Sequence, residues 1–114
     1  MKVRFFKTAA GSEPVREWLR NLDQPAKKGI GDDIKTVQIG WPWGMPLVKS
    51  LGSGLLEVRS NLPGGRTARI LFCMVNEEMI VLHGFFKKSQ KTPKEDLALA
   101  RQRQREVMNE SKEQ

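Results

Sequence analysis

Residues 55–86 contain three apolar, β-rich segments joined by very short turns: LLEVRSN, LPGG, RTARILFCMV, NEE and MIVLHGFF in succession. Connections this short leave no room for a crossover, so consecutive segments must pair antiparallel. The first alternates, with Leu56 and Val58 on one face and Glu57 and Arg59 on the other. Antiparallel pairing also sorts the ends. The LPGG turn and the outlet of the third segment share one end, and the turn at Glu77 and Glu78 lies at the opposite one.

The flanking segments must cover this sheet. MKVRFFK reads as a first strand. GSEPVREWLRNL carries a helix start, with Ser12 as N-cap and Glu13 and Pro14 in the first turn. Val15, Trp18, Leu19 and Leu22 then recur at helical spacing. After a break at residues 23–25, Ala26, Ile30, Ile34 and Val37 form the stripe of a second helix. Gly29 and Gly31 weaken it by up to about 1 kcal/mol each. WPWGMPLVKSLGSG reads as a loop, in which Trp41 and Trp43 suit the edge of a small core better than base stacking. Thr92, Pro93 and Glu95 make a capping box for a last helix, which has Leu97, Ala100, Val107 and Met108 as a broken stripe and RQRQR as a basic flank. The expected fold is α+β: strand, helix, helix, three antiparallel strands, helix, with the helices packed on one face of the sheet. A chain of 114 residues is expected to form one domain over 1–114.

Charge narrows the partners. Lys plus Arg number 20 against 13 Asp plus Glu, a net charge of +7 that favours nucleic acid or an acidic protein. No apolar run approaches the ~20 residues of a membrane-spanning helix. The first residues lack the apolar core of a signal peptide. A cytoplasmic protein without a membrane partner is therefore expected, with the single Cys73 as a buried small hydrophobe.

Between Arg59 and Lys94 stand seven basic residues and two acidic ones, so the charge is local. Antiparallel geometry gathers Arg66, Lys87 and Arg59 near one sheet edge, with Arg69 on the floor of the same groove. An arginine inside a strand needs a partner, because burying its charge alone is costly; Glu57 is a candidate. His83, the only histidine, lies two residues from Val81 and from Phe85 and so is expected on the same face as both. It reads either as a structural strand histidine or as a proton carrier. One histidine and one cysteine cannot assemble a zinc site of those ligands, and Asp32 and Asp33 point apart on a helix. No metal or cofactor is expected, and no nucleophilic triad, P-loop or dinucleotide fingerprint is present. Phosphodiester cleavage by such a chain would rest on arginine and lysine stabilising the transition-state charge.

The run from LLEVR through GRTARILF to VLHGFFKKSQKTPKEDLALA resembles the core of the phage-derived HigB-type toxins of the RelE/ParE superfamily. In that family an LWELR strand precedes GRIRILY and LLHGFxKKTQKTPxxEIxxA, and its SPVREWL appears here as SEPVREWL. The resemblance covers nearly the whole chain, and the HGFxKKxQKTP run is specific. It implies a RelE-like toxin of a type II toxin–antitoxin system, encoded beside a small HigA-like antitoxin with a helix-turn-helix domain. It implies a metal-independent endoribonuclease that cuts mRNA on the ribosome and inhibits translation. The messenger's own 2′-hydroxyl attacks the adjacent phosphate, leaving a 2′,3′-cyclic phosphate and a 5′-hydroxyl. The free toxin would be monomeric and would form a hetero-oligomer with its antitoxin.

By the same resemblance, Arg59 and Arg69 would meet the scissile phosphate, with His83 and Lys87 as the candidates for proton transfer. Arg66, Lys88 and Lys91 would hold flanking phosphates or ribosomal RNA, and Phe85 or Phe86 would stack on a nucleotide. The chain departs from its relatives in having no tyrosine, and Phe72 stands where the family's ILY carries one. Two alternatives come from other classes: a ParE-like inhibitor of DNA gyrase acting through the basic last helix, and a non-toxic nucleic-acid-binding protein.

Overall fold

The computed structural model of the chain describes residues 1–42, 47–87 and 92–112, with residue 112 described by its backbone alone. Its elements are β1 (Lys2–Phe5), α1 (Pro14–Arg20), α2 (Gln24–Gly40), β2 (Val48–Gly52), β3 (Leu55–Asn61), β4 (Thr67–Val75), β5 (Glu78–Phe86) and α3 (Lys94–Lys112). The strands form one sheet in the order β1-β5-β4-β3-β2. β3, β4 and β5 run antiparallel, as their short turns require. β1 lies parallel to β5, with Val3 level with Met79. The fold is α+β, as expected.

Two features depart from expectation. The first is β2, inside the segment read as loop, which pairs antiparallel with β3 at Val48–Val58 and Lys49–Glu57. The prolines of that segment all lie upstream of Val48, and an edge strand needs backbone hydrogen bonds on one side only. The second is the placement of the helices, which lie on both faces rather than on one. Val58, Ile70, Phe72 and Val81 pack with Val15 of α1 and with Ala26, Ile30, Ile34 and Val37 of α2. Leu55, Leu71, Cys73, Ile80 and Leu82 pack with Ala100 and Val107 of α3. Neighbours such as Leu71 and Phe72 are both fully buried. A strand apolar on both sides needs cover on both, and the continuous run RILFCMV is the sequence sign of it.

Local chemistry sets the helix ends. Ser12, the expected cap of α1, instead has its hydroxyl 2.9 Å from that of Thr8, and the N-cap position falls to Glu13, which makes no side-chain cap bond. Asp23 caps α2 by accepting from the Ala26 backbone N–H. Gly29 does more than weaken that helix: a Cβ there would lie 2.5 Å from a methyl of Leu62, so its absence admits the chain leaving β3. Gly84 plays the same part for α1, because a Cβ would stand 2.5 Å from the Trp18 ring.

The last helix is tied to the sheet by its own cations. Arg101 donates to the carbonyls of Leu51 and Gly52, each at 2.7 Å, and Gln104 donates to that of Ser53 at 2.9 Å. Arg103 donates to the Leu82 carbonyl at 2.8 Å. Two arginines of the RQRQR flank therefore serve the fold. Cys73 is fully buried, and burial pushes its thiol up to about 11. Trp41 meets Phe72 edge-on at the margin of the core, while Trp43 lies outside the described residues. Among the described residues, no helix is long and apolar enough to cross a membrane.

Candidate nucleic-acid interface

α3 starts level with His83 and ends near the β4–β5 turn, where Asn76 reaches Ser111. On the same face of the sheet, past the start of α3, lies a row of polar residues. Alternation directs Glu57 and Arg59 of β3 to this face, together with Leu55. Arg59 stands directly opposite Arg69 of β4, which stands opposite Phe85 of β5. Lys49 of β2 pairs with Glu57. Lys87 follows β5 and donates its backbone N–H to Thr67.

The charges in this row are not equivalent. Arg69 is 5% exposed, and its Nη1 donates to Glu57 Oε1 at 3.0 Å. The other carboxylate oxygen of Glu57 accepts from the Thr92 hydroxyl at 2.8 Å. Arg59 is half-buried and makes no ion pair among the described residues. The Nε atoms of Arg59 and Arg69 are both buried with no hydrogen-bond partner among the described residues. Burial lowers the pKa of the Arg69 guanidinium; Glu57 opposes that shift and Arg59 adds to it. The Lys87 ammonium is also lowered, first by burial and then by Arg69, with Arg59 and Lys49 acting the same way and Glu57 against. Two buried N–H groups beside crowded cations favour an anion with acceptor oxygens.

His83 reaches the same face through a bulge. The β4–β5 register shifts between Leu71 and Phe72, so that Leu71 pairs with His83 and Phe72 with Val81. The extra residue turns His83 away from Val81, which packs under α1 and α2, and leaves it stacked beside Phe85 at 5.7 Å. The expectation that it shares a face with both is corrected to Phe85 alone. Its Nε2 lies 2.6 Å from Asp96 Oδ1 of α3.

Arg66 and Phe86 go elsewhere. Arg66 makes a bidentate pair with Asp23, at 2.8 and 2.9 Å, and its guanidinium lies over the Phe86 ring. Phe86 packs on Trp18, which puts both residues on the α1–α2 side of the sheet. The structure therefore brings together Arg59, Arg69, Phe85, Lys87 and His83, and separates Arg66 and Phe86 from them. Lys88 and Lys91 lie outside the described residues. Sequence reasoning missed Lys49, hidden in a segment read as loop, and the double engagement of Glu57. The alternation of LLEVR was the available signal for Glu57; no local signal marked Lys49.

Together these features define a small α+β fold with a row of arginine and lysine on one sheet face. The chain belongs to the phage-derived protein Gp49-like (DUF891) family, whose model matches residues 17–105, and this is a family of RelE/HigB-like toxins. The matched span includes Lys49, Glu57, Arg59, Arg69, His83, Phe85 and Lys87. No curated protein matches the chain.

Proposed function

We propose that the protein is the toxin of a type II toxin–antitoxin pair, a HigB-type endoribonuclease that cuts mRNA on the ribosome without a metal ion. The observation that carries this reading is the Arg59–Arg69 pair: two cations directly opposed on β3 and β4, each with a buried Nε–H that has no hydrogen-bond partner among the described residues. Like charges at opposed positions are unfavourable, and a phosphate between them removes the penalty. Attack of the 2′-hydroxyl on phosphorus, with departure of the 5′-oxygen, passes through a pentacoordinate state carrying extra negative charge. Fixed guanidinium groups stabilise that state more than the ground state.

His83 and Lys87 are the proton carriers of this proposal. Burial and neighbouring cations lower the Lys87 pKa, which favours its neutral form as a base. In this reading His83, held at Nε2 by Asp96, protonates the leaving oxygen. Phe85, stacked with His83, offers a ring to a base. Among the described residues no three of His, Cys, Asp and Glu converge as a ligand set, so in this reading the transition-state charge falls to the arginines. The partner expected with it is an acidic, HigA-like helix-turn-helix antitoxin, and the expected compartment is the cytoplasm. The gyrase reading drew on the basic last helix, and the ties of Arg101 and Arg103 to backbone carbonyls remove much of that support.

The test is a defined mRNA offered free and on programmed ribosomes, with new 5′ ends mapped. Cuts at fixed positions in the A-site codon, seen only with ribosomes, are the expected result. Cuts on free RNA alone would take the ribosome out of the mechanism. A folded protein that cuts neither would overturn the nuclease reading.

A further inference from the structure

Glu57 is a charged group in a place with little room for one. Its side chain is 3% exposed, and each of its oxygens is engaged, one by Arg69 on β4 and one by Thr92 just ahead of α3. Among the described residues it is the one carboxylate acting on Lys87, against the three cations Arg69, Arg59 and Lys49. It also makes the two arginines different, since it holds Arg69 while Arg59 has no ion pair among the described residues. Through Thr92 it ties the sheet to the entry of α3, and four residues further on Asp96 of that helix holds His83. One buried carboxylate thus joins β3, β4 and the start of α3.

We propose that Glu57 is a positioning residue. It fixes the Arg69 guanidinium so that its Nε–H stays free for an anion, and through Thr92 it sets the register of α3, and with it His83, against the basic row. The part of this concerning turnover rests on the ribonuclease reading; the part concerning position does not. Removing the charge of Glu57 without changing its shape raises the net charge of the row by one. RNA should then bind as well or better while the chemical step slows. A carboxylate that served only stability would lower the rate just in proportion to the fraction of folded protein.

The variants are Glu57→Gln and Thr92→Val, with Thr92→Ser as the conservative control. The first readout is heteronuclear NMR of the arginine Nε–H groups during titration with inorganic phosphate. The wild type should give one sharp Arg69 signal that moves saturably, Glu57→Gln should broaden or lose it, and Thr92→Ser should retain it. The second readout is single-turnover cleavage on programmed ribosomes. Glu57→Gln should lose about tenfold or more in maximal rate with no rise in the half-saturating ribosome concentration, and Thr92→Val should lose rate that Thr92→Ser restores. An unchanged Arg69 signal with cleavage within about twofold of wild type would overturn the proposal, as would a loss matched by the unfolded fraction. If Glu57→Gln does not fold, the Thr92 pair decides, and a Thr92→Val protein equal to wild type in both readouts overturns it. A wild-type protein that cuts nothing on ribosomes defeats the ribonuclease reading, while the Arg69 signal still decides the positional claim.

Discussion

Arg59 and Arg69 occupy directly opposed positions of the β3–β4 ladder, yet of the two only Arg69 is in an ion pair among the described residues. Their removal should therefore act in opposite ways. Arg69→Ala leaves Glu57 buried without its cation and is expected to cost about 3–5 kcal/mol, read as a lower urea midpoint. Arg59→Ala relieves a like-charge pair and should leave the midpoint unchanged or raised. It should nonetheless reduce RNA cleavage by roughly 10²-fold or more if its guanidinium meets the transition state. Equal destabilisation by both variants would contradict this division.

Gly84 is confined by Trp18, whose ring a Cβ would meet at 2.5 Å. The ring is rigid and packs on Phe86 as well, so relief requires α1 to move. Gly84→Ala should cost about 1–3 kcal/mol, as overpacking of a closed site does. Trp18→Leu combined with Gly84→Ala should cost less than the sum of the two single changes. Simple additivity in denaturation experiments would show that the contact is not limiting.

The pair of Asp23 and Arg66 gives an acid dependence of known sign. Hydrogen bonding to Arg66 holds the Asp23 carboxyl at about 2, below its ordinary 3.8. A carboxyl lowered in the folded state adds stability above its unfolded pKa and loses it as pH falls through the folded value. The difference in thermal midpoint between wild type and Asp23→Asn should be constant above about pH 5 and close between about pH 4 and pH 2. A gap that persists at the lowest pH would show that the pair adds nothing through its charge.

Cys73 is fully buried, with its thiol raised to about 11 by burial. A neutral, enclosed thiol is a poor nucleophile. The native protein should resist alkylation by iodoacetamide at neutral pH and react fully once unfolded in denaturant. Rapid native labelling would reveal an opening of the sheet under α3.

Much of the fold was legible locally. Turn lengths dictated the antiparallel order of β3, β4 and β5, and helical spacing picked out Ala26, Ile30, Ile34 and Val37, all of them buried. The chemistry of the candidate site was legible in kind, because Arg59 and Arg69 stood inside apolar strands. Its membership was less so. Arg66 lies three residues before Arg69 in the chain and ends on the other side of the sheet, paired with a helix cap that no local pattern connects to it.

The sequence by itself determined which segments pair, which stripes are apolar, and that cations crowd one end of the sheet without a tyrosine among them. These follow from turn lengths, periodicity and composition, which need no knowledge of distant neighbours. Only the tertiary structure decided that α3 covers the face opposite α1 and α2, that β2 adds an edge, and that Glu57 belongs to Arg69 and Thr92 together. It also decided the direction of His83, because one bulged residue reverses the alternation of a strand from that point onward. A bulge is set by the register between two strands and not by either strand alone. The face on which that histidine meets the basic row was therefore a property of the assembled sheet.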